Sequence, residues 1–398
     1  MSSHPTYDAI IVGGGLSGLT LACLLGQRGM NIAVIDQADP KKKPKDLRTT
    51  AISFGSRAVL EKAGIWDGIQ QSCAIKDIQI LDGHSPVLLE FMSAEVQDKS
   101  FGWIVDNHDL KCAMMARLKT LKSVNHIAPA IVSDYAVEEG RAYVTLADGA
   151  KIEAKLIIGA DGRGSGVREW MVAHCGVQTR GWQYKQRAVI CTAMHENPHD
   201  NVAVEHFWPE GPFAILPMAD DETGAHQSSV VFTEHGPEKN SLMHFSDEEF
   251  EIALAARFPE RYGDVKLGSR RVAYPLGLVH ADRYIAPRMV LVADAAHGIH
   301  PIAGQGLNLG FRDLDALDDI LGTAYENGAD IGEADLLEAY QMRRRPDNMA
   351  MVAVTDALNR LFSNNIPPVR LVRRAGLKIV SRLKPAKKFF MKQAMGDR

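Results

Sequence analysis

The sequence predicts an α/β fold: a domain built on a parallel βαβ unit, interrupted by an inserted antiparallel sheet and followed by a basic helical segment. Three observations carry this. Residues 7–36 switch from strand-like to helix-like and back to strand-like patterning. Residues 187–234 break into short runs rich in β-branched and aromatic side chains, with turn residues between them. The last 33 residues hold ten Lys or Arg against one acid.

Composition bounds the class. At 398 residues, with 46% hydrophobic and 24% charged side chains, the chain is long enough for two or three domains and a sizeable core. Disordered, collagen-like and disulfide-scaffold proteins are excluded. The net charge of −4 excludes binding to nucleic acid through overall charge. That sum combines a tail of +9 with −13 over residues 1–365. Five cysteines (Cys23, Cys73, Cys112, Cys175, Cys191), without a C-x-x-C pair, fit a reducing cytoplasm. The uncharged run 9–26 follows Asp8 and no basic residue, and it contains five glycines. It reads as a buried strand and helix, not as a signal peptide or a membrane span.

The βαβ unit comprises a strand at 7–12, a helix at 16–27 and a strand at 31–36. Its turn, Gly13-Gly14-Gly15-Leu16-Ser17-Gly18, matches G-x-G-x-x-G, a Rossmann-like dinucleotide signature. Gly13 permits the tight turn, Gly15 lets backbone approach a pyrophosphate, and Gly18 allows helix to pack on strand. The N–H groups of Leu16 and Ser17 open a helix N-terminus suited to phosphate oxygens. Asp36 ends the second strand, where a carboxylate can accept from ribose hydroxyls.

Two later segments narrow the cofactor. A hairpin over 143–146 and 151–154 turns at Asp148-Gly149, and a strand at 156–160 runs into Asp161-Gly162-Arg163-Gly164-Ser165. A strand at 289–293 ends in Asp294-Ala295-Ala296-His297. It is followed by His300-Pro301-Ile302-Ala303-Gly304-Gln305-Gly306-Leu307-Asn308-Leu309-Gly310-Phe311-Arg312-Asp313.

These residues resemble the flavin-dependent aromatic hydroxylases, the group that includes p-hydroxybenzoate hydroxylase. There an N-terminal G-x-G-x-x-G, a central D-G and a late G-D motif serve one FAD. The run from His300 to Asp313 is similar to the signature of the ubiquinone-biosynthesis hydroxylase family. The likeness extends to Arg48-Thr49-Thr50-Ala51-Ile52-Ser53 and Gly211-Pro212-Phe213-Ala214-Ile215-Leu216-Pro217. One departure stands out: Ala293 occupies the glycine position of the G-D motif, for which a small backbone adjustment is expected.

The late motif also makes physical sense unnamed. Asp294 can accept from a ribityl hydroxyl, and Gly304, Gln305, Gly306, Leu307 and Asn308 open a helix whose apolar stripe is Leu314, Leu317, Ile320 and Leu321. The positive end of that helix would stabilise negative charge on a reduced flavin pyrimidine. Pro301 and Asp161 complete the expected cofactor contacts that the resemblance implies. Arg48 reads either as a pyrophosphate partner, as the resemblance implies, or as a solvated side chain after the lysine run at 41–45. Asn107 starts a helix carrying Leu110, Met114 and Leu118; it is either only a cap of that helix or also touches FAD, as the matching family position does. Asp294, His297 and His300 invite a metal reading, but Ala295-Ala296 and Pro301 break any ligand-bearing helix. No metal is expected. The histidines are read as structural or as lining the flavin pocket.

The inserted sheet comprises runs at 187–195, 202–208, 212–218 and 228–234, then a helix at 247–258 and a strand at 271–274. In the family such a sheet roofs the flavin and shapes the substrate pocket. Trp208, Phe213, Leu216 and Pro217 are the pocket candidates, with ordinary sheet core as the alternative. The expected boundaries are 1–75, 100–180 and 276–345 for a discontinuous FAD-binding domain, 76–99 and 181–275 for the substrate domain, and 346–398 for the basic amphipathic segment.

The resemblance implies hydroxylation of an aromatic ring through a flavin 4a-hydroperoxide, with O₂ as co-substrate and NAD(P)H or another electron donor. No catalytic side chain is assignable from sequence; a base assisting the phenol is left unassigned. No second glycine fingerprint holds the nicotinamide, which is expected to bind transiently near Asp161 to Arg168. The family's substrates are prenylated phenols. The tail, with Val369, Val372, Leu377, Ile379, Val380, Leu383, Phe389, Phe390 and Met391 between its basic residues, suits an anionic membrane surface or the proteins of a biosynthetic complex. The expected location is the cytoplasm, peripheral on the inner membrane face. Two other readings fit: a same-fold hydroxylase of a soluble aromatic or polyketide, and a flavin-bearing scaffold of a biosynthetic complex.

Overall fold

The computed structural model describes residues 5–40, 42, 46, 48–83, 88–300, 304–362 and 383–396. Pro301 and the tail residues Val369, Arg370, Val372, Arg373, Arg374, Leu377, Lys378, Ile379, Val380, Arg382 and Arg398 lie outside the described residues.

The first sheet is centred on β1 (Thr6–Val12), which pairs in parallel with β2 (Ile32–Ile35) and β11 (Lys151–Gly159). β8 (Val124–Ile127) lies beyond β2; β19 (Met289–Leu291) and β18 (Ile285–Ala286) lie beyond β11. β9 (Val132–Glu138) and β10 (Arg141–Leu146) add an antiparallel pair to the first half of β11. The two strands expected at 151–154 and 156–160 are therefore one. Its burial alternates up to Leu156 and then becomes continuous, because its second half is sandwiched between parallel neighbours. Helix α1 (Leu16–Gln27) has the expected bounds and is buried from Gly18 to Gly26.

The second sheet has nine strands. Its order is β20 (His297–Gly298), β17 (Val272–Ala281), β12 (Thr179–His195), β15 (Gln227–His235), β14 (Gly211–Pro217), β13 (Val202–Trp208), β5 (Asp77–Asp82), β6 (Leu89–Met92), with β16 (Val265–Leu267) beside β12. The expectation of an antiparallel sheet needs one correction: β13 and β5 are parallel, because β5 arrives from a distant part of the chain and not through a hairpin. The strand expected at 271–274 continues to Ala281. Pro275 looks like a stop, but it faces a register break in β12 between Gln183 and Arg187 that absorbs its missing N–H. A third sheet joins β3 (Thr49–Ser53), β7 (Gly102–Asp106) and β4 (Cys73–Ile75).

The remaining α-helices are α2 (Phe54–Lys62), α3 (Asn107–Lys119), α4 (Gly166–Cys175), α5 (Asp247–Ala255), α6 (Gln305–Glu326), α7 (Ala334–Phe362) and α8 (Lys384–Met395). The boundary expected at 345/346 falls inside α7, which carries Pro346. The main core joins the first sheet to α1, α3 and α6. A second core lies between one face of the nine-stranded sheet and α5, around Phe213, Phe250 and Tyr262. A third joins Ile75, Phe91, Phe101 and Ala203 to Met391 and Met395 of α8. Among the described residues, no helix is long and apolar enough to cross a membrane.

Candidate functional site

The first glycine turn is shaped by backbone against backbone. Gly13 has φ +111°, and a Cβ there would stand 2.5 Å from the Ala160 carbonyl oxygen; one at Gly18 would stand 1.9 Å from the Gly13 oxygen. A Cβ at Gly15 would meet nothing within 4 Å among the described residues. Helix α1 starts there with no side-chain cap and no acid in its first turn, so its leading N–H groups, near Leu16 and Ser17, keep their positive end bare. Asp36 packs on the same turn: a Cβ at Gly14 would meet its Oδ2 at 2.4 Å, while Oδ1 accepts from the Ala38 N–H.

The D-G turn lies beside it. A Cβ at Gly13 would also fall 2.8 Å from the Asp161 Cα. Asp161 Oδ2 accepts from the Val167 N–H, whereas buried Oδ1 has no hydrogen-bond partner among the described residues, and burial pushes the carboxyl pKa up. Arg163 donates to the carbonyls of Gly277 and Ile299, and Arg168 to those of Ala295 and Arg163. These arginines tie the D-G turn to the late motif.

That late motif follows β19. Ala293 stands at φ +52°, so the expected small adjustment is in fact a full left-handed conformation held by an L-residue. Its N–H donates to Asp313 Oδ2, and Gly310 makes room, since a Cβ there would come within 2.8 Å of the Ala293 Cβ and 3.7 Å of Ser17 Oγ. The starts of α1 and α6 therefore adjoin. Asp294, half-buried, lies within electrostatic reach of Arg48 and Arg168. Helix α6 begins after Gly304 (φ +62°), again without a side-chain cap among the described residues, with Gln305, Gly306 and Leu307 half-buried. The Asn308 side chain is committed to the protein. Its side chain accepts from the Ser53 N–H at 2.9 Å and donates to the Ala51 and Gly304 carbonyls, so it brackets β3 to α6.

Arg48 and Asn107 meet at a residue that sequence reasoning missed. Arg48 makes a two-pronged contact to Asp46 at 2.8 and 2.6 Å, and Asn107 donates to Asp46 Oδ2 while accepting from Thr50 Oγ1. Burial opposes ionisation of Asp46, but Arg48 and Asn107 outweigh it and lower its pKa. Asp106, not Asn107, caps α3 by accepting from the His108 N–H.

The two histidines part ways. His297 pairs with Asp313 at 2.5 Å in a fully buried network, where Asp313 Oδ1 accepts from Arg344 at 2.8 Å and Asn348 at 3.0 Å. Burial pushes the Asp313 carboxyl up, but His297 and Arg344 outweigh it and hold its pKa well below the usual carboxylate range. His300 packs edge-on to Tyr184; burial and nearby Arg163 push its pKa down to about 4.

The nine-stranded sheet presents its other face to these turns. Thr49 Oγ1 donates to Ser229 Oγ at 2.7 Å, and Arg48 lies over the Tyr274 ring. Strand alternation then sorts the pocket candidates. Leu216 is on this face, half-buried. Phe213 is fully buried in the second core; Trp208, under Arg257, packs against that core; Pro217 shares their side of the sheet. Three of the four expected pocket residues therefore look away from the glycine turns. Ile80, Ile190 and Val231, which no motif marked, line the correct face and are half-buried.

Two bare helix N-termini, a cradle at Gly15 that a Cβ would enter, and an orphaned Asp161 oxygen suit a dinucleotide carrying a flavin. A family model described as "FAD binding domain" matches residues 6–355. The chain is 43% identical over 399 residues to the ubiquinone hydroxylase UbiL of Rhodospirillum rubrum, covering 99% of this chain and 91% of that one. It is 34% identical over 402 residues to the 3-demethoxyubiquinol 3-hydroxylase of Escherichia coli, covering 100% of both. Among solved structures it resembles p-nitrophenol 4-monooxygenase PnpA from Pseudomonas putida, with a TM-score of 0.79, 19% identity and 100% of both chains covered. The chain belongs to the FAD-binding monooxygenases of the ubiquinone-biosynthesis hydroxylase family.

Proposed function

We propose that the chain hydroxylates the aromatic ring of a prenylated phenol on the route to ubiquinone. The observation that carries this is the half-buried, largely apolar sheet face (Ile80, Ile190, Leu216, Val231) set across from two glycine-opened helix starts. When bound, FAD reduced by NAD(P)H or another donor supplies activated oxygen from O₂. The chain's own residues bind and orient. The Gly13, Gly15, Leu16, Ser17 and Gly18 turn suits the pyrophosphate, and Asp36 suits the ribose. Asp161 and Asp294 suit the ribityl chain and its surroundings, and Arg48 with Asn107 closes over the cofactor. Gly304, Gln305, Gly306 and Leu307 offer N–H groups to the flavin pyrimidine. The sheet face excludes water from the reacting ring.

The test is direct. Purified protein should show flavin absorption bands, oxidise the donor, consume O₂ and form hydroxylated product faster from a prenylated than from an unprenylated phenol. No flavin uptake would sink the reading; equal rates would favour a soluble aromatic substrate, and flavin reduction without product would favour a scaffold.

Membrane association belongs to the same reading and is supported by α8. It buries Met391 and Met395 in the third core while leaving Leu383 52% and Phe390 45% exposed beside exposed Lys388 and Lys392. Co-flotation with anionic but not neutral vesicles, weakened by salt, is the expected result.

A further inference from the structure

Register across the nine-stranded sheet places one carboxylate in an apolar row. Glu205 of β13 lies opposite Ile80 of β5 and Ala214 of β14; Ala214 lies opposite Val231 of β15, and Val231 opposite Ile190 of β12. This row is on the face turned toward the glycine turns. The neighbouring row on one side contains Leu216 and Ser229, the residue that receives the Thr49 hydroxyl. The row on the other side contains Phe207, stacked on Phe362 of α7 at 3.8 Å, and ends at Tyr274 beneath Arg48.

Glu205 is half-buried and has no hydrogen-bond or ion-pair partner among the described residues. An unpaired carboxylate among isoleucine, alanine and valine is costly, and a fold retains one where a ligand supplies the missing donor. We propose that Glu205 accepts the proton of the substrate's phenolic hydroxyl during ring hydroxylation. The inference rests on the reading of the previous section and supplies the base that no motif in the sequence identified.

The proton balance is simple. As the ring carbon next to the hydroxyl takes up, as a hydroxyl group, one oxygen atom of O₂ activated with two electrons from the donor, the O–O bond breaks and its other oxygen leaves as water. The phenolic O–H bond breaks, its electron pair forms the carbonyl, and the proton moves to Glu205 Oε. The ring then loses the hydrogen from the oxygenated carbon to water, the carbonyl oxygen recovers a proton from Glu205, and the carboxylate is restored. Burial alone pushes the Glu205 pKa up to about 7, which suits a base that must both take and return a proton near neutral pH.

Other titratable groups lie on this sheet face and on the elements packed near it. Asp82 and Tyr274 are on the sheet, and Asp46, Arg48 and Asp294 come from the turn side. Asp356 and Arg360 lie on α7, and Lys387, paired with Glu95, on α8. His300, pushed down to about 4, contributes no limb near neutrality.

The experiment uses FAD-loaded protein and Glu205→Gln, which keeps shape but cannot take a proton. Wild-type kcat/KM should rise as pH increases through about 7. In E205Q that limb should vanish and kcat fall by about 100-fold, with KM changed less than a few-fold; Glu205→Asp should retain the limb. Unchanged kcat, or a raised KM with the limb intact, would overturn the proposal. A second readout needs no turnover: infrared difference spectra should show a protonated carboxyl band titrating near pH 7, absent in E205Q and shifted by added 2-methoxyphenol. A band that ignores the phenol overturns the base assignment. A band that responds in a protein that hydroxylates no phenol overturns the functional reading instead.

Discussion

Helices α1 and α6 both start from glycine turns with bare N-termini, side by side, yet they are held by opposite means. The start of α1 is fixed by backbone packed on backbone: the Gly18 Cα against the Gly13 carbonyl, and Gly13 against Ala160. The start of α6 is fixed by buried polar side chains, with Asn308 bracketing β3 and Asp313 gathering Ala293, His297, Arg344 and Asn348. The first device needs glycines at fixed spacing within one βαβ unit and a backbone neighbour, Ala160, at the end of β11. The second needs polar side chains whose partners lie up to 257 residues apart in sequence.

If that contrast is right, the two starts should break differently. The largest effect is expected at Asp313→Ala, which leaves Arg344 buried without its main partner and should cost about 3–5 kcal/mol in chemical denaturation. The same network sets a pH dependence. Because the Asp313 pKa is lower folded than unfolded, its contribution is fully present above about pH 4. It is lost as pH falls further, and acid unfolding monitored by circular dichroism should lose this component in the variant.

Gly18→Ala comes next. Its methyl would stand 1.9 Å from a backbone oxygen, so the turn must open; a loss of about 3 kcal/mol is expected, with FAD retention falling more steeply than stability. Asn308→Ala should cost about 1–3 kcal/mol by leaving the Ser53 N–H buried and unpaired. Its FAD titration should weaken only modestly, since the amide is spent on protein.

The smallest effect has the opposite sign. Ala293→Gly relieves a left-handed alanine worth about 1–2 kcal/mol, offset by the added chain freedom of glycine, so a rise of up to about 1 kcal/mol in stability is expected. A fall in Tm would show that the Ala293 methyl contributes packing against Gly310 beyond what the strain costs.

The contrast also explains what could be read in advance. The bounds of α1, the D-G hairpin, the strand at 202–208 and, to within a residue at each end, the strand expected at 212–218 follow from local patterning, because strand and helix periods are properties of neighbouring residues. The apolar stripe of α6 was equally visible: Leu314, Leu317 and Leu321 are fully buried. Alternation in β13 and β14 shows that two faces exist but not which one meets the cofactor turns. Large aromatic side chains pointed to the wrong one: Trp208 and Phe213 belong to the core under α5, whereas Leu216 and the unmarked Glu205 share the working face. Asp46 escaped notice because a carboxylate after a lysine run looks solvated until Arg48 and Asn107 close on it.

The sequence by itself therefore determined the fold class, the glycine turn that opens α1, and the family, since each rests on spacing within a short stretch. Only the tertiary structure decided which sheet face looks inward, that the Asn308 side chain braces β3 against α6, and that Ala293 is held left-handed. Those depend on register and on partners from distant segments, and burial gives them their energies: an unpaired N–H, a lone carboxylate or an extra methyl is cheap in water and costly once enclosed.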